Sequence, residues 1–161
     1  MKRPTPPIQW VDDHIRIIDQ VLLPTEVRFV EIRTAAQAVD AIQRLAIRGA
    51  PALGAFGSLA LVVALDETHP SSLSEATTRL EECRTLIGDA RPTAVNLRRA
   101  VDRVIDEAIS SSQDLAGLRA TLLREAHAVA AEDEAACTEI GRLGHESVSY
   151  THLTLPTNRE V

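Results

Sequence analysis

The chain has 161 residues, enough for one domain with a sizeable core. Its formal net charge of −6 and pI near 5.3 give no electrostatic reason to expect nucleic acid or an anionic membrane as partner. With 45% hydrophobic and only 2% aromatic residues, the composition disfavours a β-sandwich and points to closely packed aliphatic helices.

Met1–Pro7 is too polar for a secretory leader. Ile8-Gln9-Trp10-Val11 is a short apolar stretch, Asp12-Asp13 a turn signal, and His14–Asp19 begins by alternating polar and apolar residues. Pro24 interrupts the chain before Val27–Ile32, another β-rich run. These segments predict a small antiparallel meander over Ile8–Ile32.

Thr34-Ala-Ala-Gln37 has the form of a helix capping box, followed by Ala38, Ala41, Ile42, Leu45 and Ala46 at helical spacing. The spacing predicts a helix ending near Ile47 or Arg48, because Gly49 and Pro51 follow. Pro51 suits the first turn of a second helix, over about Pro51–Leu65, where its missing N–H costs nothing. The apolar run Ala50–Leu65 falls short of the ~20 residues of a membrane span and is interrupted by Gly54, Gly57 and Ser58. It is expected at the centre of a helical bundle.

Ser72-Leu-Ser-Glu75 is a second capping box, opening a helix with the stripe Leu73, Ala76, Leu80, Cys83 and Ile87 and a stop at Gly88. Arg91-Pro92-Thr93 is expected to open the next, with Val95 or Leu97, then Val101, Val104, Ile105 and Ala108 inward. The last helix is expected over about Leu115–Leu143, with Leu118, Leu122, Ala126, Val129, Ala130, Ala136, Cys137 and Ile140 facing the core. From about Ser147 the helical period stops. Ser149-Tyr-Thr-His-Leu-Thr-Leu-Pro-Thr157 matches a translated transposase-end sequencing adapter over nine consecutive residues, so the native sequence is expected to end near Glu146. The resulting division is 1–33 for the meander, 34–146 for the helical domain and 147–161 for a non-native tail.

Two segments carry chemistry. In Ile47-Arg48-Gly49-Ala50-Pro51-Ala52-Leu53-Gly54 an arginine precedes a glycine turn and a proline-started helix. The first N–H groups of a helix are unpaired and its dipole makes that end positive. A guanidinium beside it adds an anion clamp, and glycine permits close backbone approach. Arg91-Pro92-Thr93-Ala94-Val95-Asn96-Leu97 repeats the device, with Thr93 and Asn96 able to hydrogen-bond near the terminus. On the residues alone, a plain helix–helix turn with a solvent-exposed arginine is the more ordinary explanation of the first, and helix capping plus a surface charge that of the second. Cys83 and Cys137 show no ligand spacing and no His/Cys cluster accompanies them, so both are expected to be small buried hydrophobes in a reducing cytoplasm, with no metal site.

The order of the Gln-Trp strand, Ile18-Asp19-Gln20, Leu23-Pro24, Ile47–Gly54 and Arg91–Leu97 resembles the methylthioribose-1-phosphate isomerases of the initiation factor 2B alpha/beta/delta-like superfamily. The resemblance covers essentially all of Ile8–Glu146. It implies a mainly α fold, a helical N-terminal domain with a small β-element, and a Rossmann-like C-terminal domain beyond this chain. It implies that Arg48, Gly49 and Ala50, with Arg91, bind a small sugar phosphate. The family's catalytic cysteine and aspartate belong to C-terminal segments absent here. Neither Cys83 nor Cys137 sits in that motif, so no catalytic residue is assigned and the fragment is expected to be inactive alone. His145 and His152 are not candidate bases. No cofactor, a cytoplasmic setting and a homodimer at full length are the further implications. Ribose-1,5-bisphosphate isomerase is the nearer competitor, and a non-catalytic regulatory subunit of initiation factor 2B the more distant one.

Overall fold

The computed structural model describes residues 6–147, as a three-stranded antiparallel sheet followed by five helices. Strands β1 (Ile8–Val11), β2 (His14–Ile18) and β3 (Phe29–Ile32) pair in sequence order. The register sets Trp10, Ile15 and Ile32 in one row and Ile8, Ile17 and Val30 in the next. Alternation places these six on one face, where Ile15, Ile17 and Ile32 are buried and the other three pack against them. The third strand starts two residues later than expected, and Val27 is exposed.

Helices α1 (Ala35–Gln43), α2 (Ala50–Thr68), α3 (Leu73–Leu86), α4 (Val95–Ser111) and α5 (Leu115–Ser147) form the bundle. Both capping boxes form, each with the same offset. Thr34 Oγ1 accepts from Gln37 N–H at 3.1 Å, and Ser72 Oγ from Glu75 N–H at 3.2 Å. The return bonds reach one residue further back, to the N–H groups of Arg33 and Ser71.

At the centre is α2, as its composition predicts. Thirteen consecutive residues, Leu53–Leu65, are buried. A helix apolar all round must be surrounded. α2 packs against the other four helices and against β1 and β2. Its small residues allow α4 to come close. A Cβ built on Gly57 would lie 2.3 Å from Leu97 Cδ1, and one on Gly54 would lie 3.2 Å from the Asn96 carbonyl oxygen. The helix also runs three residues beyond Leu65. Its 19 residues are long and apolar enough to cross a membrane by composition, but here they form the middle of the bundle.

Four expectations are corrected. α1 stops at Gln43, and Leu45 takes a positive φ of 64° and is exposed, because Leu45 and Ala46 turn their N–H groups back onto the Ile42 and Ala41 carbonyls. Pro92 does not open α4. It sits in a turn three residues before Val95, closed by Ala94 N–H donating to the Arg91 carbonyl at 2.9 Å. Val95 is exposed and Leu97 takes the inward place. The inward stripe of α5 ends early: Leu118, Leu122 and Ala126 are buried, Val129 and Ala130 partly, whereas Ala136, Cys137 and Ile140 are exposed. Beyond about Asp133 no other described element covers the helix, so its apolar residues have nothing to face. Cys83 is buried as expected, and Cys137 is not. The expected tail falls outside the described residues except for Ser147, which closes α5.

Candidate functional site

The starts of α2 and α4 lie side by side, because Gly54 lets the first turns of α2 rest on Asn96 and Ala100. Between them opens a cavity of about 200 Å³ lined by Gly49, Ala50, Leu53, Arg91, Thr93 and Ala94. Three of the four sequence-predicted site residues therefore meet at one place. Arg48, the fourth, stands one residue upstream with an exposed side chain that does not line the cavity.

Both helix starts lack the caps seen elsewhere. α1 and α3 are capped by Thr34 and Ser72, and in α5 Asp114 Oδ1 accepts from Gly117 N–H at 2.7 Å. α2 has Gly49 as N-cap and α4 has Ala94; neither has a side-chain hydrogen bond at the cap or an acidic residue in its first turn. The first intrahelical bonds come from Leu53 to the Gly49 carbonyl at 3.0 Å and from Leu97 to the Ala94 carbonyl at 3.0 Å. The N–H groups before them remain as the positive pole of each helix. Gly49 has φ +99° and ψ 130°, a conformation that only glycine adopts readily.

The arginine partners sharpen the picture. Of the fourteen arginines among the described residues, eleven have side-chain hydrogen bonds or ion pairs within the chain. The three without are Arg48, Arg91 and Arg99. Two of these are the arginines singled out by the sequence. Among the described residues no carboxylate lines the cavity. A groove of about 420 Å³ on the other side of the α2–α4 contact holds Arg99 with Arg103, Glu132 and Asp133, so its charge is mixed. An uncapped pair of helix starts with a free guanidinium and no acid fits a small anion. Among the described residues no group of histidine, cysteine or acidic side chains is placed to hold a metal.

The sequence marked Gln20 only as part of the Ile18-Asp19-Gln20 segment and gave it no place at the site. Its side-chain oxygen accepts from the Arg48 N–H at 3.0 Å, across 28 residues of chain. No local pattern marks such a contact.

The Initiation factor 2 subunit family matches residues 46–158. A 5-deoxyribose 1-phosphate isomerase from Moorella thermoacetica is 38% identical over 145 residues, 89% of this chain and 41% of that protein. A methylthioribose-1-phosphate isomerase from Anaeromyxobacter sp. is 41% identical over 146 residues, 89% of this chain and 39% of that protein. The crystal structure of 5-methylthioribose 1-phosphate isomerase from Pyrococcus horikoshii superposes with a TM-score of 0.85 at 26% identity, over 91% of this chain and 41% of that one. Translation initiation factor eIF-2B subunit delta from A. fulgidus superposes with a TM-score of 0.75 at 35% identity, over 79% and 37%. The chain spans about two-fifths of the length of the relatives it matches.

Proposed function

Since the chain belongs to the Initiation factor 2 subunit family, we propose that it is the phosphate-gripping part of an aldose–ketose isomerase that converts methylthioribose 1-phosphate to methylthioribulose 1-phosphate in methionine salvage. The observation that carries this is the cavity between two uncapped helix starts, with Arg91 free inside it and no carboxylate in its lining. Gly49 and Ala50 offer backbone N–H groups, Arg91 a fork of donors, and Arg48 a second cation at the rim. A sugar 1-phosphate carries its phosphate on the anomeric oxygen and so cannot open as a free aldose does. Isomerisation then needs an acid/base pair near C1 and C2, held in a shielded site. The residues described here bind, orient and neutralise charge. Proton transfer falls to groups in the larger remainder of the relatives' length, where a cysteine and an aspartate are expected. On this reading the chain alone does not turn over substrate, the full protein is a homodimer, and its setting is cytoplasmic.

Binding is the direct test. Titrating the chain with ribose 1-phosphate should shift the Gly49 and Ala50 amide resonances, and Arg91→Ala should weaken the affinity about tenfold or more. Wild-type affinity in both Arg91→Ala and Arg48→Ala would remove the site. Turnover by the 161-residue chain would refute the division of labour. The likeness to the eIF-2B delta subunit favours a second reading, a non-catalytic interaction module. That reading predicts indifference to sugar phosphate in the wild-type chain.

A further inference from the structure

The loop between α1 and α2 carries Arg48 and Gly49, and it is fastened from a single dipeptide. Asp19 and Gln20 follow β2 directly and between them hold residues 44, 46 and 48. Arg44 Nη1 donates to Asp19 Oδ2 at 2.6 Å. Gln20 N–H donates to the Ala46 carbonyl at 3.1 Å, and Arg48 N–H donates to Gln20 Oε1 at 3.0 Å. The dipeptide is itself fixed. Asp19 is buried, its N–H donates to the Arg28 carbonyl at 2.9 Å, and its carboxylate accepts from Val21 N–H at 3.1 Å.

The loop needs such support. It contains two residues with positive φ, Leu45 at 64° and Gly49 at 99°. The Arg48 side chain has no partner within the described residues, so only its backbone is held. Among the described residues Gln20 is the one side chain bonded to that backbone. A binding group works only if its position is set before the ligand arrives.

We propose that Gln20 is a positioning residue, whose side-chain carbonyl sets the path of the Arg48–Gly49 backbone and so aims the start of α2 at the bound phosphate. The inference rests on the phosphate site proposed above. Its test uses the isotopically labelled chain, titrated with inorganic phosphate while the Gly49 and Ala50 amide shifts and the exchange of the residue-48 amide are followed. Gln20→Met keeps the stem and removes the acceptor. It should weaken phosphate binding roughly three- to tenfold and quicken residue-48 exchange about tenfold. The buried α2 amides of Phe56–Leu61 should keep wild-type exchange. Gln20→Glu keeps an acceptor and should restore slow exchange at residue 48. Arg48→Ala should weaken binding while that amide stays protected. Wild-type affinity in Gln20→Met, with weakened binding in Arg48→Ala, overturns the positioning role and leaves the site standing. Wild-type affinity in both Arg48→Ala and Arg91→Ala overturns the site and the inference with it. Should Gln20→Met fail to fold, fast residue-48 exchange in folded Gln20→Glu overturns the inference on its own.

Discussion

Replacing Gly49 with alanine isolates one physical term. A Cβ at this position would find Ala52 Cβ at 3.7 Å as its nearest neighbour, an ordinary contact, so packing contributes almost nothing. What remains is backbone strain at φ +99° and ψ 130°, about 1–3 kcal/mol for a residue with a side chain. Alanine recovers about 0.4–1 kcal/mol by narrowing the unfolded ensemble. The difference spans about 0–2.6 kcal/mol, centred on a loss of about 1.3 kcal/mol. For a chain of this size that central value lowers the melting temperature by about 3–5 °C. Asparagine supplies the control. It tolerates the left-handed helical region, as His69 does here at φ 46° and ψ 55°, but not the extended positive-φ region of Gly49. Gly49→Asn should therefore lose as much as Gly49→Ala in thermal denaturation followed by circular dichroism. An unchanged or raised melting temperature for alanine, or recovery by asparagine, would refute the reasoning.

Burial pushes the Cys83 thiol up to about 11, while Cys137 is exposed, so a disulfide-exchange reagent at pH 8 should titrate one thiol in the native chain and two after denaturation. Burial also pushes the Asp19 carboxyl up, but hydrogen bonds from Arg44 and the Val21 N–H outweigh it and hold the group below 3.8. A depressed folded pKa contributes stability above the unfolded value that is lost as pH falls through the folded one. The urea midpoint of the wild type should thus exceed that of Asp19→Asn at pH 7, and the gap should close below about pH 4; a gap of constant size refutes the pairing. Ile140→Ala should change stability by no more than about 0.5 kcal/mol, whereas Leu122→Ala, at a fully buried site, should cost about 2–5 kcal/mol by urea denaturation.

The parts of the fold readable in sequence are those set by neighbours a few residues away. Thr34 and Ser72 mark helix starts because a hydroxyl three residues before an N–H can reach it. The largely apolar Ala50–Leu65 marks the centre because such a surface has no stable place outside. Gly49 and Arg91 were readable as anion-binding candidates through the family resemblance, since on the residues alone a turn or a cap with a surface arginine is the more ordinary explanation. Pro92 misled because proline serves a turn as well as it serves a helix. Leu45 misled because a helix end depends on where the following chain must go, which Asp19 and Gln20 decide from far away. Ile140 misled because helical periodicity reports which residues share a face and says nothing about whether another element lies against it. Gln20 stood in a segment that carries the family resemblance, yet no role could be read for it, since that role exists only once β2 and the α1–α2 loop are side by side.

Because α2 touches every other helix and two of the three strands, its melting and that of the domain are one event. Whatever docks at Gly49 therefore strengthens Leu122 and Ile15 as surely as a better-packed core would, without meeting either. At a hundredfold excess over its dissociation constant, a ligand contributes about 2.7 kcal/mol to that single transition. Heat resistance and occupancy become two readings of the same quantity, and a melting curve taken against ligand concentration serves as a binding isotherm.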